Sequence, residues 1–95
     1  KHKIIICEPL LGPVDLSHYL DRGIEMVVAG GESGPQARPC RYEWILELRS
    51  QCIDYGVAFN FRQTGARLIK DGRLYMVKRQ YQHSQARRAS IDYNP

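Results

Sequence analysis

Cysteine is scarce and scattered in this chain: Cys7, Cys40 and Cys52 lie 33 and 12 positions apart, with no Cys-x-x-Cys or Cys-x-x-His pair. Zinc and iron–sulfur ligation by local spacing is thereby excluded, and no metal site is expected. Three thiols do not close a disulfide framework, which points to a reducing compartment and a cytoplasmic location. Long apolar runs are missing too, none approaching the roughly 20 residues of a membrane span. No membrane partner is expected, and Lys1-His2-Lys3 before a four-residue apolar run is too short for a secretory leader. There is no Gly-x-Ser-x-Gly elbow around Ser33, no Walker loop and no dinucleotide fingerprint. His2, His18 and His83 stand at no ligand spacing.

Acidic residues run short in the last third. Residues 1–61 hold six basic and eight acidic side chains, a balance of −2, whereas residues 62–95 hold eight and two, a balance of +6. A basic end of this kind either meets phosphate or is a solvated tail. Its nucleic-acid candidates are Arg67, Lys70, Arg73, Tyr75, Lys78, Arg79, Arg87 and Arg88, with Tyr75 and Tyr81 as stacking surfaces among the cations.

What is present alternates between two periodicities. Ile4-Ile5-Ile6-Cys7 is a short continuous apolar run of the kind buried on both faces of a parallel sheet, ended by Pro9. Asp15 as N-cap and Gly23 as C-cap predict a short helix over Leu16–Arg22. Ile24–Ala29 reads as a second strand and Val57–Phe61 as a third. Between them Trp44, Ile45, Leu48, Cys52 and Tyr55 recur at helical spacing, predicting a helix over Arg41–Tyr55 stopped by Gly56. Asp71-Gly72 between two short arms predicts a β-hairpin. Lys78–Ala89 is helix-permissive, and Ile91–Pro95 shows no period, reading as a segment that is mobile or ordered by a partner. The fold class is α/β: three parallel strands with crossover helices over residues 1–65, then the hairpin and a basic tail over residues 66–95.

Parallel connectivity puts the C-terminal strand ends together, where α/β folds bind ligands. Glu8, Glu32 and Arg62 each follow a predicted strand. With Gln63 and the loop residues Gly30, Gly31 and Ser33 they form the candidate ligand site, suited to an amine, a cation such as magnesium, or the polar end of a nucleoside-like cofactor. The bland reading is that Glu8 and Glu32 simply pair with Arg62 or accept loop amides. The catalytic residues are not assigned. Two helices and one hairpin also leave the strands short of cover, so a partner is expected, either the remainder of a longer polypeptide or another copy. The start at Lys1 rather than Met fits an internal or processed piece.

The motifs Glu8-Pro9-Leu10-Leu11-Gly12, Gly30-Gly31-Glu32-Ser33-Gly34 and Ala37-Arg38-Pro39, then Trp44, Gln51-Cys52 and Gly56, resemble the phage gene-product thirty-seven/sixty-eight family, whose function is unassigned. The resemblance covers roughly residues 4–65. It implies the C-terminal part of a partial (β/α) barrel similar to radical S-adenosylmethionine enzymes. An iron–sulfur cluster and S-adenosylmethionine would belong to the intact protein, and the cysteine-rich motif that would hold the cluster is absent here. The isolated chain would be catalytically incomplete. Where the family reads Lys-Gln-Trp-Gly this chain has Arg62-Gln63-Thr64-Gly65, which keeps a cation and loses an amine able to act as a neutral base.

Overall fold

The computed structural model describes residues 2–95. In chain order its elements are β1 (Ile4–Cys7), β2 (Met26–Gly30), β3 (Cys40–Arg41), α1 (Tyr42–Tyr55), β4 (Ala58–Gln63), β5 (Arg67–Lys70), β6 (Arg73–Met76), a 3₁₀ turn (Arg79–Tyr81) and α2 (Gln82–Arg88). The protein is a mixed α/β domain with two sheets. One holds three parallel strands in the order β1-β2-β4; the other has the order β3-β5-β6. In the second sheet β3 runs parallel to β5, and β5 and β6 form the predicted hairpin.

The three expected strands are present and parallel, because each connection recrosses the sheet before the next strand begins. Alternation along them sorts the side chains. Ile5, Cys7, Val27, Ala29, Phe59 and Phe61 join a core with Ile45, Leu48 and Cys52 of α1. Burying aliphatic and aromatic side chains of this size contributes about 1.5–3 kcal/mol each, so this face carries the stability of the sheet. Helix α1 follows the predicted apolar period and ends as expected at Gly56, whose φ of 66° is left-handed. The Gly56 and Val57 amides donate back to the carbonyls of Ile53 and Cys52, at 3.2 and 2.8 Å.

The opposite face of the parallel sheet has no helix packed on it. Ile4 and Ile6 remain 54% and 60% exposed there. Strand parity places Met26, Val28, Ala58 and Asn60 on the same face.

Strand β1, expected to be buried on both faces, is thus exposed on one, and two further expectations need correction. The segment Leu16–Arg22 is a run of turns, not a helix. It closes mainly three-residue contacts, Tyr19 N–H to Leu16 O at 2.8 Å and Arg22 N–H to Tyr19 O at 3.1 Å. Two turns offer too few hydrogen bonds to offset helix nucleation, and docking of Leu16 and Leu20 in the core selects the turns instead. Gln51 of α1 clamps this loop, accepting from Leu16 N–H at 2.7 Å and donating to Val14 O at 2.9 Å. The C-terminal segment is ordered within the chain itself, without a partner. Tyr93 pairs antiparallel with Phe59, two backbone hydrogen bonds of 2.8 Å closing the bridge on the outer edge of β4. The Asp92 carboxylate accepts from Phe61 N–H at 2.8 Å and from the Asn60 amide at 3.0 Å.

No helix among the described residues is long and apolar enough to cross a membrane.

Candidate functional site

The C-terminal ends of β1, β2 and β4 lie side by side, and two of the three charged residues expected there meet. Glu8 follows β1 directly and Arg62 lies near the end of β4 on the open face. The Arg62 guanidinium donates through Nε and Nη2 to Glu8 Oε1, at 2.9 and 2.6 Å. Gln63 donates its side-chain amide to the other carboxylate oxygen of Glu8. A register shift between Ala29 and Gly30 makes this arrangement: it sets Gly30 opposite Gln63, bringing Gln63 toward the carboxylate. The Glu8 side chain is largely shielded while Arg62 is about half exposed, so the carboxylate is anchored and the cation faces solvent.

Gly30 and Gly31 are small for separate reasons. A Cβ on Gly30 would come within 3.1 Å of the side chains of Gln63 and Glu8, so the glycine leaves room for the pair. A Cβ on Gly31 would run into the Thr64 carbonyl, and one on Gly65 would lie 2.7 Å from Glu32 N, with φ already +76°. The two loops are therefore packed backbone to backbone. Ala66 N–H to Glu32 O at 2.8 Å and Gly31 N–H to Gln63 O at 3.2 Å join them.

Glu32 does not join the Glu8–Arg62 pair. Its carboxylate accepts from Arg38 Nε, from Arg38 Nη2 and from the Arg38 backbone amide, each at 2.9 Å. This bidentate clasp holds the Glu32 carboxyl down to about 2 and raises the Arg38 guanidinium. Ser33, next in the loop, is exposed. The sequence offered Arg38 only through the Ala37-Arg38-Pro39 motif; which acid it would take was not written in spacing.

The basic candidates divide as well. Arg67 turns inward, donating to Ala37 O at 2.6 Å and Pro35 O at 3.4 Å. Lys78, Arg79 and Arg87 are exposed on the 3₁₀ and α2 segment. Lys70, Tyr75 and Arg88 instead line one open groove of about 500 Å³. Sequence reasoning missed its floor and flank: Tyr42 and Phe61, with ring centroids 6.1 Å apart, and the buried Thr64.

The three thiols are core groups. Burial pushes Cys40 and Cys52 up to about 11 and raises Cys7 in the same direction, leaving all three protonated at neutral pH. Among the described residues no three His, Cys, Asp or Glu side chains cluster to hold a metal ion.

No curated protein and no solved structure matches the chain. A family model does: residues 1–91 match the family described as Protein of unknown function (DUF5131), and the chain belongs to that family.

Proposed function

We propose that this chain is the C-terminal part of a radical S-adenosylmethionine-like barrel, in which the open sheet face lines the interior and Glu8, Arg62 and Gln63 bind a polar ligand. The observation that carries this reading is the shape of the parallel sheet. One face is covered by α1 and Ala86 of α2, while the other carries exposed Ile4 and Ile6 on β1, the buried Val28 on β2, and charged residues at the C-terminal ends. Parallel barrels place ligands at that end of their strands. A carboxylate beside a guanidinium is complementary to an α-amino acid, whose ammonium can take Glu8 while its carboxylate takes Arg62.

S-adenosylmethionine carries such an end, and Gly30 lets the Glu8 and Gln63 side chains that would meet it pack close to the strand end. Bound at an iron–sulfur cluster, that cofactor supplies radical chemistry. This chain's own residues would bind and orient it. The cluster would be held elsewhere in the polypeptide, since Cys40 and Cys52 are buried core thiols. The test is calorimetric titration of S-adenosylmethionine into the full gene product. Arg62→Ala should weaken binding at least about tenfold and Arg62→Lys less, the lost contact being one charge-assisted hydrogen bond of about 1.5–3 kcal/mol. Equal affinity in all three proteins overturns the reading.

A second reading, nucleic-acid binding through residues 62–95, is favoured by one observation: most cations of the +6 segment are solvent-facing. Arg73, Lys78, Arg79, Arg87 and Arg88 are all exposed, and none has an ion-pair partner among the described residues. Affinity that falls steeply with salt would support it.

A further inference from the structure

The groove beside the hairpin combines flat apolar walls with cations and no acid. Its floor is Phe61, with Tyr42 against it; Tyr75 of β6 and Tyr81 of the 3₁₀ turn flank the opening, 43% and 49% exposed. Lys70 Nζ stands 5.0 Å from the centre of the Tyr42 ring, and Arg88 of α2 lies on the groove wall. No lining residue is acidic.

The hairpin register adds an independent argument. Leu68 is paired with Tyr75 and Lys70 with Arg73, so these four side chains lie on one face of the hairpin, the face toward the groove. Like charges directly opposite each other destabilise an antiparallel pair. Lys70 and Arg73 accept that cost with no carboxylate paired to either among the described residues. An anion at the groove mouth would relieve it. The volume of about 500 Å³ falls within the roughly 300–1,000 Å³ of small-molecule sites.

We infer that this groove is a stacking slot for an unpaired base of a single-stranded nucleic acid, with Lys70, Arg73 and Arg88 neutralising the adjoining phosphates. The inference rests on the second reading above and goes further by naming the site and the strand state. Every base has a π-face that tyrosine can take, whereas paired bases in a duplex are not free to enter such a slot. Sequence preference should therefore be weak and strand preference strong.

The experiment is fluorescence anisotropy of the chain with a labelled single-stranded 12-mer, the same strand as a duplex, and an abasic 12-mer of equal charge. Single-stranded binding should exceed duplex and abasic binding by about tenfold or more. Tyr75→Ala and Tyr81→Ala should each lower affinity by about tenfold with the salt slope unchanged. Lys70→Ala with Arg73→Ala should flatten the salt slope, while Arg87→Ala, outside the groove, should leave strand preference intact. Circular dichroism confirms that each variant folds, and the abasic comparison needs no variant. Salt-dependent binding that treats the abasic strand and the duplex like the normal single strand overturns the slot but leaves the nucleic-acid reading standing. Absence of binding to all three overturns both.

Discussion

Glu32 sits on a loop, yet the Arg38 side chain first, and the Arg38 backbone amide second, lower its carboxyl from an ordinary 4.5 to about 2. The folded value is below the unfolded one, so the clasp contributes fully above the ordinary value and is lost as pH falls through about 2. Titration of side-chain carboxyl carbons by NMR should place the Glu32 midpoint at about 2. In Arg38→Gln its midpoint should rise toward 4.5. A wild-type midpoint already at the ordinary value would refute the clasp in solution. At this scale the sequence was legible where connectivity alone decides. Glu8 and Arg62 meet because parallel strands end together. Glu32 takes Arg38 because the loop brings that residue back, and such short returns leave no period to read.

Among the elements, strong patterns held and weak ones yielded to tertiary contacts. Helix α1 buries Ile45, Leu48 and Cys52 in helical register and has a left-handed glycine stop, so local and global preferences agree. The hairpin is equally explicit: Asp71 and Gly72 both take positive φ, 53° and 75°, as a two-residue turn of the primed type requires. By contrast Ile91–Pro95 is too short to show a period: backbone bonds, the Asp92 carboxylate and the packing of Ile91 and Tyr93 against the core hold it. Asp92→Ala leaves the part-buried Phe61 amide without its acceptor. It should lower unfolding free energy by about 1–3 kcal/mol in a urea titration. Faster amide exchange at Phe59 and Phe61 should accompany the loss. A midpoint unchanged from the parent would show that the tail adds nothing to β4. The groove escaped notice for a related reason: Tyr42, Phe61, Tyr75 and Tyr81 come from four separate segments, and only the packing of both sheets brings them together.

For the whole molecule, a Cα radius of gyration of 12.9 Å is close to the roughly 12 Å of a complete domain of this length. The core on the α1 side is closed by the chain's own residues, while on the other sheet face Ile4 and Ile6 of β1 stand exposed. That separation gives a clean test. Ile6→Lys changes a side chain 60% exposed, so thermal stability should shift by no more than about 0.5 kcal/mol. Sedimentation of the parent chain should show concentration-dependent association through the bare face, which the lysine abolishes. A parent that stays monomeric at high concentration would remove the case for a covered face. That apolar side chains of β1 would lack a helix over them was legible in the sequence from the count of helices against buried-type strands. Which face lacks it was not, since Ile4, Ile5 and Ile6 differ only in parity.

The bridge between Tyr93 and Phe59 also bears on a different mode of association, strand added to strand at the edge of the sheet. With the outer edge of β4 bridged at Phe59 by the chain's own tail, the open strand edge of the parallel sheet among the described residues is that of β1. Two identical copies that add strand to strand through this sheet must then join β1 to β1 about a twofold axis. Such a pair uses up the remaining edge of each copy. Edge-to-edge growth through this sheet terminates at two, the tail acting as the stop on its β4 side.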